Sequence, residues 1–142
     1  MSNAAILACY REQPLILDEN VNGEEWTNIG GLYRLQVQAI TPGHEGAYGL
    51  QWLKSTLAGD ATLSIDVPGG VYRGVAPPGT LTPFVIISLQ SPGIDVLTVN
   101  AYRLMSQPLF MVKAVGPASI TAAIVAAANQ IDALLGRSSG TI

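Results

Sequence analysis

Residues 109–135 read LFMVKAVGPASITAAIVAAANQIDALL, and the rest of the chain is organised around this stretch. Its first seven side chains are apolar apart from Lys113, the composition of a well-buried strand. Gly116-Pro117 then ends any strand ladder, because proline has no N–H to donate. The residues after it have helical period: Ile120, Ile124, Ala127, Ile131 and Leu134 step by four, three, four and three residues and form one stripe. The run is rich in alanine, the best helix former, and holds no glycine or proline before Gly136. Gly136 is expected to end the helix in the left-handed conformation, with Arg137 near the negative end of the helix dipole. Asp132 is the only ionisable side chain between Gly116 and Gly136, so this helix would be hard to keep soluble if exposed. The stretch therefore predicts a helix covered by a sheet on one side, with a further face for another subunit.

Outward from this unit, strands and turns alternate. Residues 4–11, AAILACYR, read as a buried strand that resumes at 15–17 after a bend or bulge at Pro14. Residues 18–28, DENVNGEEWTN, are polar and turn-rich, and Asn22-Gly23 is a strong turn signal because both residues tolerate positive φ. After Gly30-Gly31, residues 32–40 alternate cleanly. Tyr33, Leu35, Val37 and Ala39 face one way and Arg34, Gln36 and Gln38 the other, as in a half-buried antiparallel strand. Residues 47–58 place Leu50, Leu53 and Leu57 at helical spacing, and 61–67 read as a short turn or half-helix. Short strand 71–75, rigid turn 76–80 and strand 84–90 come next, then a second long strand at 96–105.

The predicted fold class is α+β: an antiparallel sheet of about four long strands, two helices packed on one face, and a short extra strand. It spans 1–142 as a single domain, with an N-terminal hairpin at 1–40, a linker at 41–46, a helix–strands–helix core at 47–135 and a tail at 136–142.

Only 12% of residues are charged, about half the usual share, while 49% are hydrophobic. A monomer of this composition would leave much apolar surface in water, and obligate association is the simplest remedy. A membrane is not expected: the longest candidate run, Ala118–Leu135, is broken by Ser119, Thr121, Asn129, Gln130 and Asp132. No signal-peptide pattern opens the chain, and the single Cys9 fits a reducing cytoplasm. The net charge of −3 is uneven: residues 1–48 hold six acids against Arg11 and Arg34, and the remainder four acids against five bases. No cluster of Lys and Arg forms a footprint for gripping nucleic acid.

No catalytic, cofactor or metal site is expected. Cys9 has no second cysteine and one histidine, His44, to join it in a zinc set, and a cysteine in an apolar strand is usually inert packing. Gly30-Gly31 and Gly69-Gly70 lack the spacing of phosphate loops and read as turns or points of close backbone approach. The carboxylates of 18–25 lack a calcium-loop pattern. Arg11, Arg34, Arg73 and Arg103 each interrupt a strand in a chain with few charges. They are either outward-facing surface positions or partners for acids of a neighbouring copy, with Glu12, Asp18, Glu19 and Glu24 the natural candidates.

The succession of motifs along the chain carries a resemblance to one family. A short helix with Leu50, Trp52 and Leu53 is followed by Val71-Tyr72, Val75-Ala76-Pro77, Pro83-Phe84-Val85 and a strand with Asn100 and Arg103. Val112-Lys113-Ala114-Val115 and Ile131-Asp132-Ala133-Leu134-Leu135 complete the set. Together these resemble the tail terminator (tail completion) proteins of long, non-contractile-tailed bacteriophages. In that family a further hairpin generally succeeds the second helix, with an Arg-Glu step, a later Glu and a Gly-Gly-x-Tyr-Arg strand. Here the same pieces stand at the start: Arg11-Glu12, Glu19 and Gly30-Gly31-Leu32-Tyr33-Arg34. The resemblance thus implies a circularly permuted element order, with 41–46 joining the former end to the former start.

The resemblance implies a structural virion protein and no enzyme: a homohexameric ring that caps the tail tube, stops its growth and presents the joining surface for the head. Its implied partners are itself, the tail tube protein and a head-completion or neck protein. DNA would only pass through the bore, and six copies at −3 carry −18, which suits passage without grip. Its implied place is the virion tail or neck after assembly in the host cytoplasm. Two other readings stay open: another neck or tube ring protein (head closure or tail tube), and a small oligomeric binding module.

Overall fold

The N-terminal strands form one long antiparallel hairpin. β1 (Ala4–Val21) and β2 (Glu24–Ala39) stay paired from Ala4 opposite Ala39 to Val21 opposite Glu24. The reversal falls where Asn22-Gly23 predicts it, with Gly23 at φ 84. The computed structural model describes residues 4–21, 23–39, 45–91, 95–97 and 103–141. The bend expected at Pro14 lies just before it: register shifts fall between Ile6 and Ala8 and between Arg11 and Gln13, while Pro14 itself stays opposite Gly31. The stretch 18–28, read as polar and turn-rich, is strand through 18–21 and 24–28 and forms the far half of the hairpin. Cross-strand bonds compensate for its poor strand formers: Thr27 Oγ1 donates to Asp18 at 3.1 Å and Asn28 Nδ2 to Glu19 at 2.9 Å.

The hairpin enters a mixed eight-stranded sheet. Beyond it come β3 (Val71–Arg73), β4 (Phe84–Ser91), β5 (Asp95–Leu97), β6 (Arg103–Ser106), β7 (Leu109–Pro117) and β8 (Arg137–Thr141). The strand order is β3-β4-β7-β2-β1-β8, with β6 joining β2 at its end and β5 joining β6. Four strands are long (β1, β2, β4 and β7), and all neighbours are antiparallel except β3 and β4. Three expectations need correction. The long strand at 96–105 is two short ones, β5 and β6, that pair with each other, Val96 opposite Met105 and Leu97 opposite Arg103. The strand expected over 71–75 stops at Arg73, because Gly74 takes φ 77. The segment expected as a tail, 136–142, contains β8, which pairs with β1 from Ala5 opposite Thr141 to Tyr10 opposite Arg137.

Two helices, α1 (Glu45–Ala58) and α3 (Thr121–Leu135), pack against one face of this sheet, and a third, α2 (Ala61–Asp66), packs against both of them; a 3-10 turn at Ala118–Ile120 precedes α3. The expected half-helix at 61–67 is thus a true third helix, capped by Asp60, whose carboxylate accepts from the Leu63 N–H at 2.8 Å. The alternating side chains of β2 (Tyr33, Leu35, Val37) form a single core with Phe110 and Val112 of β7, Leu53 and Leu57 of α1, and the α3 stripe. That stripe is Ile124, Ala127, Ile131 and Leu135, so Leu135 rather than Leu134 closes it. Ala118–Leu135 is an 18-residue helical run of mean hydropathy 1.4, and by length and composition it is able to cross a membrane despite its interruptions. Its four inward residues are each 0% exposed against the sheet and the neighbouring helices, while 22% of the run as a whole is buried.

Two glycines act through room. A Cβ on Gly30, in the middle of β2, would collide with the Val112 carbonyl of the adjacent strand, so close approach rather than a turn explains it. Gly136 does not take the left-handed conformation expected of it: its φ is −58 and its ψ −31. A Cβ there would lie 2.6 Å from the Asp132 carbonyl oxygen, and its own N–H donates to that oxygen at 2.7 Å. The chain passes from helix to strand in this single tight step.

Candidate functional site

Six of the eight charged residues singled out above lie on the hairpin, and the structure divides them into anchors and outward groups. Arg11 sits in β1 opposite Tyr33 of β2. Tyr33, 1% exposed, donates its hydroxyl to Asp132 Oδ1 of α3 at 3.2 Å, and Arg11 Nε lies 3.6 Å from the same oxygen. Burial, reinforced by the negative charge and hydrogen bond of Asp132, holds the Tyr33 phenol far above its ordinary range. Arg34 pairs with Glu12 across the hairpin at 3.0 Å and donates from Nη1 to the Gln107 carbonyl at 2.8 Å. Both ion pairs are therefore made within the chain. Their side chains are between 20% and 42% exposed, so each pair contributes roughly 0–1 kcal/mol and acts mainly on geometry.

Asp18 and Glu19 accept the bonds from Thr27 and Asn28 that close the far half of the hairpin, and Glu24 is exposed near its tip. Asn28 is 1% exposed, and its Oδ1 has no hydrogen-bond partner among the described residues. Arg73 is exposed at the far edge of the sheet on β3. Arg103 begins β6, and its side chain lies outside the described residues, as does His44. Cys9 is buried in β1 at 1% exposure. Among the described residues no three His, Cys, Asp or Glu side chains come together as a metal set.

The rest of the exposed surface of interest is apolar, which composition foretold without locating. β8 covers the outer edge of β1 only over Ala5–Tyr10, so residues 13–21 have no ladder partner on that side among the described residues. There Ile16 is 74% and Leu17 49% exposed. Both come after Pro14 in a strand whose adjacent residues face opposite ways, and proline is most at home on such an edge. At the other end of the sheet Ile65 (81%), Val75 (82%) and Leu81 (67%) stand out around β3. The sequence signal for Ile16 and Leu17 was partial: consecutive apolar residues in a strand must expose one of the two if only one face is covered, and here both are exposed. For Val75 and Leu81 it was the pair of apolar residues flanking the turn 76–80. Compared with known protein families, curated proteins and solved structures, the chain matches none of them.

Proposed function

We propose that this chain is the subunit of a phage tail terminator ring: a structural protein that caps the tail tube and offers the joining surface for the head. The observation that carries the reading is the position of β8. In the resembled family a hairpin succeeds the second long helix. In this chain α3 is followed by β8, and β8 lies antiparallel to β1, Ala5 opposite Thr141. Read around that junction, the order becomes α1, α2, strands, α3, β8, β1, β2, with the rotated hairpin after the helix, as in the resembled family, and β8 as an added strand between them. The Arg11-Glu12 step and Tyr33-Arg34 are then the groups that fasten the hairpin to α3 and to the Gln107 carbonyl. Low charge and exposed apolar surface at both ends of the sheet support association with two neighbours.

Native mass spectrometry at low micromolar concentration tests this. The expected species is a hexamer, either alone or once tail tube protein is added, and tube growth halts when the protein is supplied. A chain that stays monomeric under both conditions sinks the proposal.

A further inference from the structure

We propose, on the strength of the ring reading, that the two ends of the sheet are the two halves of one subunit contact. The far half of the hairpin, residues 13–25, meets β3 and the 74–83 connection of the next copy. Among the described residues, the four exposed large hydrophobic side chains of these two stretches are Ile16 and Leu17 on β1 and Val75 and Leu81 in the connection after β3, each at least 49% exposed. The strand order puts them at opposite sides of the molecule, with only β8 beyond β1 and nothing beyond β3 among the described residues. One two-fold partner cannot cover both, whereas a head-to-tail contact uses one of each per junction and closes into a ring.

Charge selects the same pairing. Within the far half, Asp18, Glu19, Glu24 and Glu25 stand with no base among them. Two hairpins laid edge to edge would bring these acids together, and like charges across a strand pair are unfavourable. The β3 end offers Arg73, exposed and without an ion pair among the described residues. Both strands also have open edges, whose unpaired N–H and C=O groups are ready to extend a sheet from copy to copy.

Two surface variants test the contact: Ile16→Asp with Leu17→Asp on the hairpin, and Val75→Asp with Leu81→Asp at the opposite corner. These side chains are 49–82% exposed, so circular dichroism should report an unchanged fold in both. By native mass spectrometry the wild type should give the ring, and each variant alone should be monomeric. A 1:1 mixture should give a heterodimer and nothing larger, because one intact junction forms and the second is absent. A ring from either variant alone, or a mixture that stays monomeric while the wild type assembles, overturns the contact and leaves the ring reading standing. A monomeric wild type, with and without tube protein, removes the ring reading and this contact together. As a second readout, Leu17→Cys combined with Val75→Cys should give disulfide-linked ladders under oxidation, and either substitution alone none. Absence of ladders from an assembled double variant counts against the juxtaposition.

Discussion

Asp132 joins three elements through one carboxylate oxygen, receiving the Tyr33 hydroxyl and facing Arg11. The phenol gives this joint a pH signature. Tyr33 has a folded-state pKa raised by burial and by Asp132, so its contribution to stability is complete below the ordinary phenol value of about 10. Above that pH the unfolded chain releases the proton and the folded one retains it, so stability falls as pH rises. Tyr33→Phe should cost about 1 kcal/mol at neutral pH, the loss of one partly exposed hydrogen bond. It should also flatten the alkaline limb by up to about 1.4 kcal/mol per pH unit. Urea titrations of both proteins from pH 8 to 11 check this, and parallel alkaline slopes would show that Tyr33 is not the group responsible. Half of this joint was legible in the sequence. Alternation identified Tyr33 as inward-facing, as it did Leu35 and Val37. Its partner is 99 residues away, and no local pattern ties a tyrosine to a carboxylate at that separation. Asp132 was visible only as the one charge on an apolar helix.

At the scale of elements, α3 was the most readable and the distal hairpin the least. A 3.6-residue period survives folding because one face of a helix must be buried, and three of the five stripe residues expected there are 0% exposed. The hairpin tip misleads because Asp, Glu, Asn and Gly are poor strand formers, yet side-chain bonds across the pair hold them extended. β8, RSSGT, carries no apolar alternation, so only its neighbour β1 makes it a strand. The asymmetry of α3 gives a direct measurement. Ile131→Ala removes a fully buried side chain from the core and should cost about 2–5 kcal/mol. Val125→Ala, at a position 40% exposed, should cost less than about 1 kcal/mol in the monomer. Denaturant midpoints of the two variants, measured at equal protein concentration, should differ widely. Equal losses would mean that the outer face of α3 is as covered as the inner one, and hence that a neighbouring subunit seals it.

At the scale of the whole molecule, the composition was right that one copy leaves apolar surface uncovered, but only the sheet order shows this surface lying at two opposite ends. The same order makes the proposed rotation of connectivity testable. Thr141 and Ala5 are antiparallel partners at the end of the β8–β1 pair. Joining Ile142 directly to Met1 would leave a four-residue connection (Ile142, Met1, Ser2 and Asn3) between the two strands, within the usual range for antiparallel neighbours. Ser2 and Asn3 are themselves turn-forming types. Reopening the chain inside 41–44 then moves the hairpin behind α3, the order of the resembled family, while every strand pair and the α3 stripe should keep their partners. The rearranged chain should show the same circular dichroism, one cooperative unfolding transition and the same oligomeric mass as the original. Its refolding should be no slower, since β8 and β1 change from the most distant pair in the sequence to a local hairpin, and local contacts form faster. A rearranged chain that stays unfolded would mean that the link between β2 and α1 does more than join them. One that folds but no longer assembles would mean that 41–44 belongs to the contact between copies.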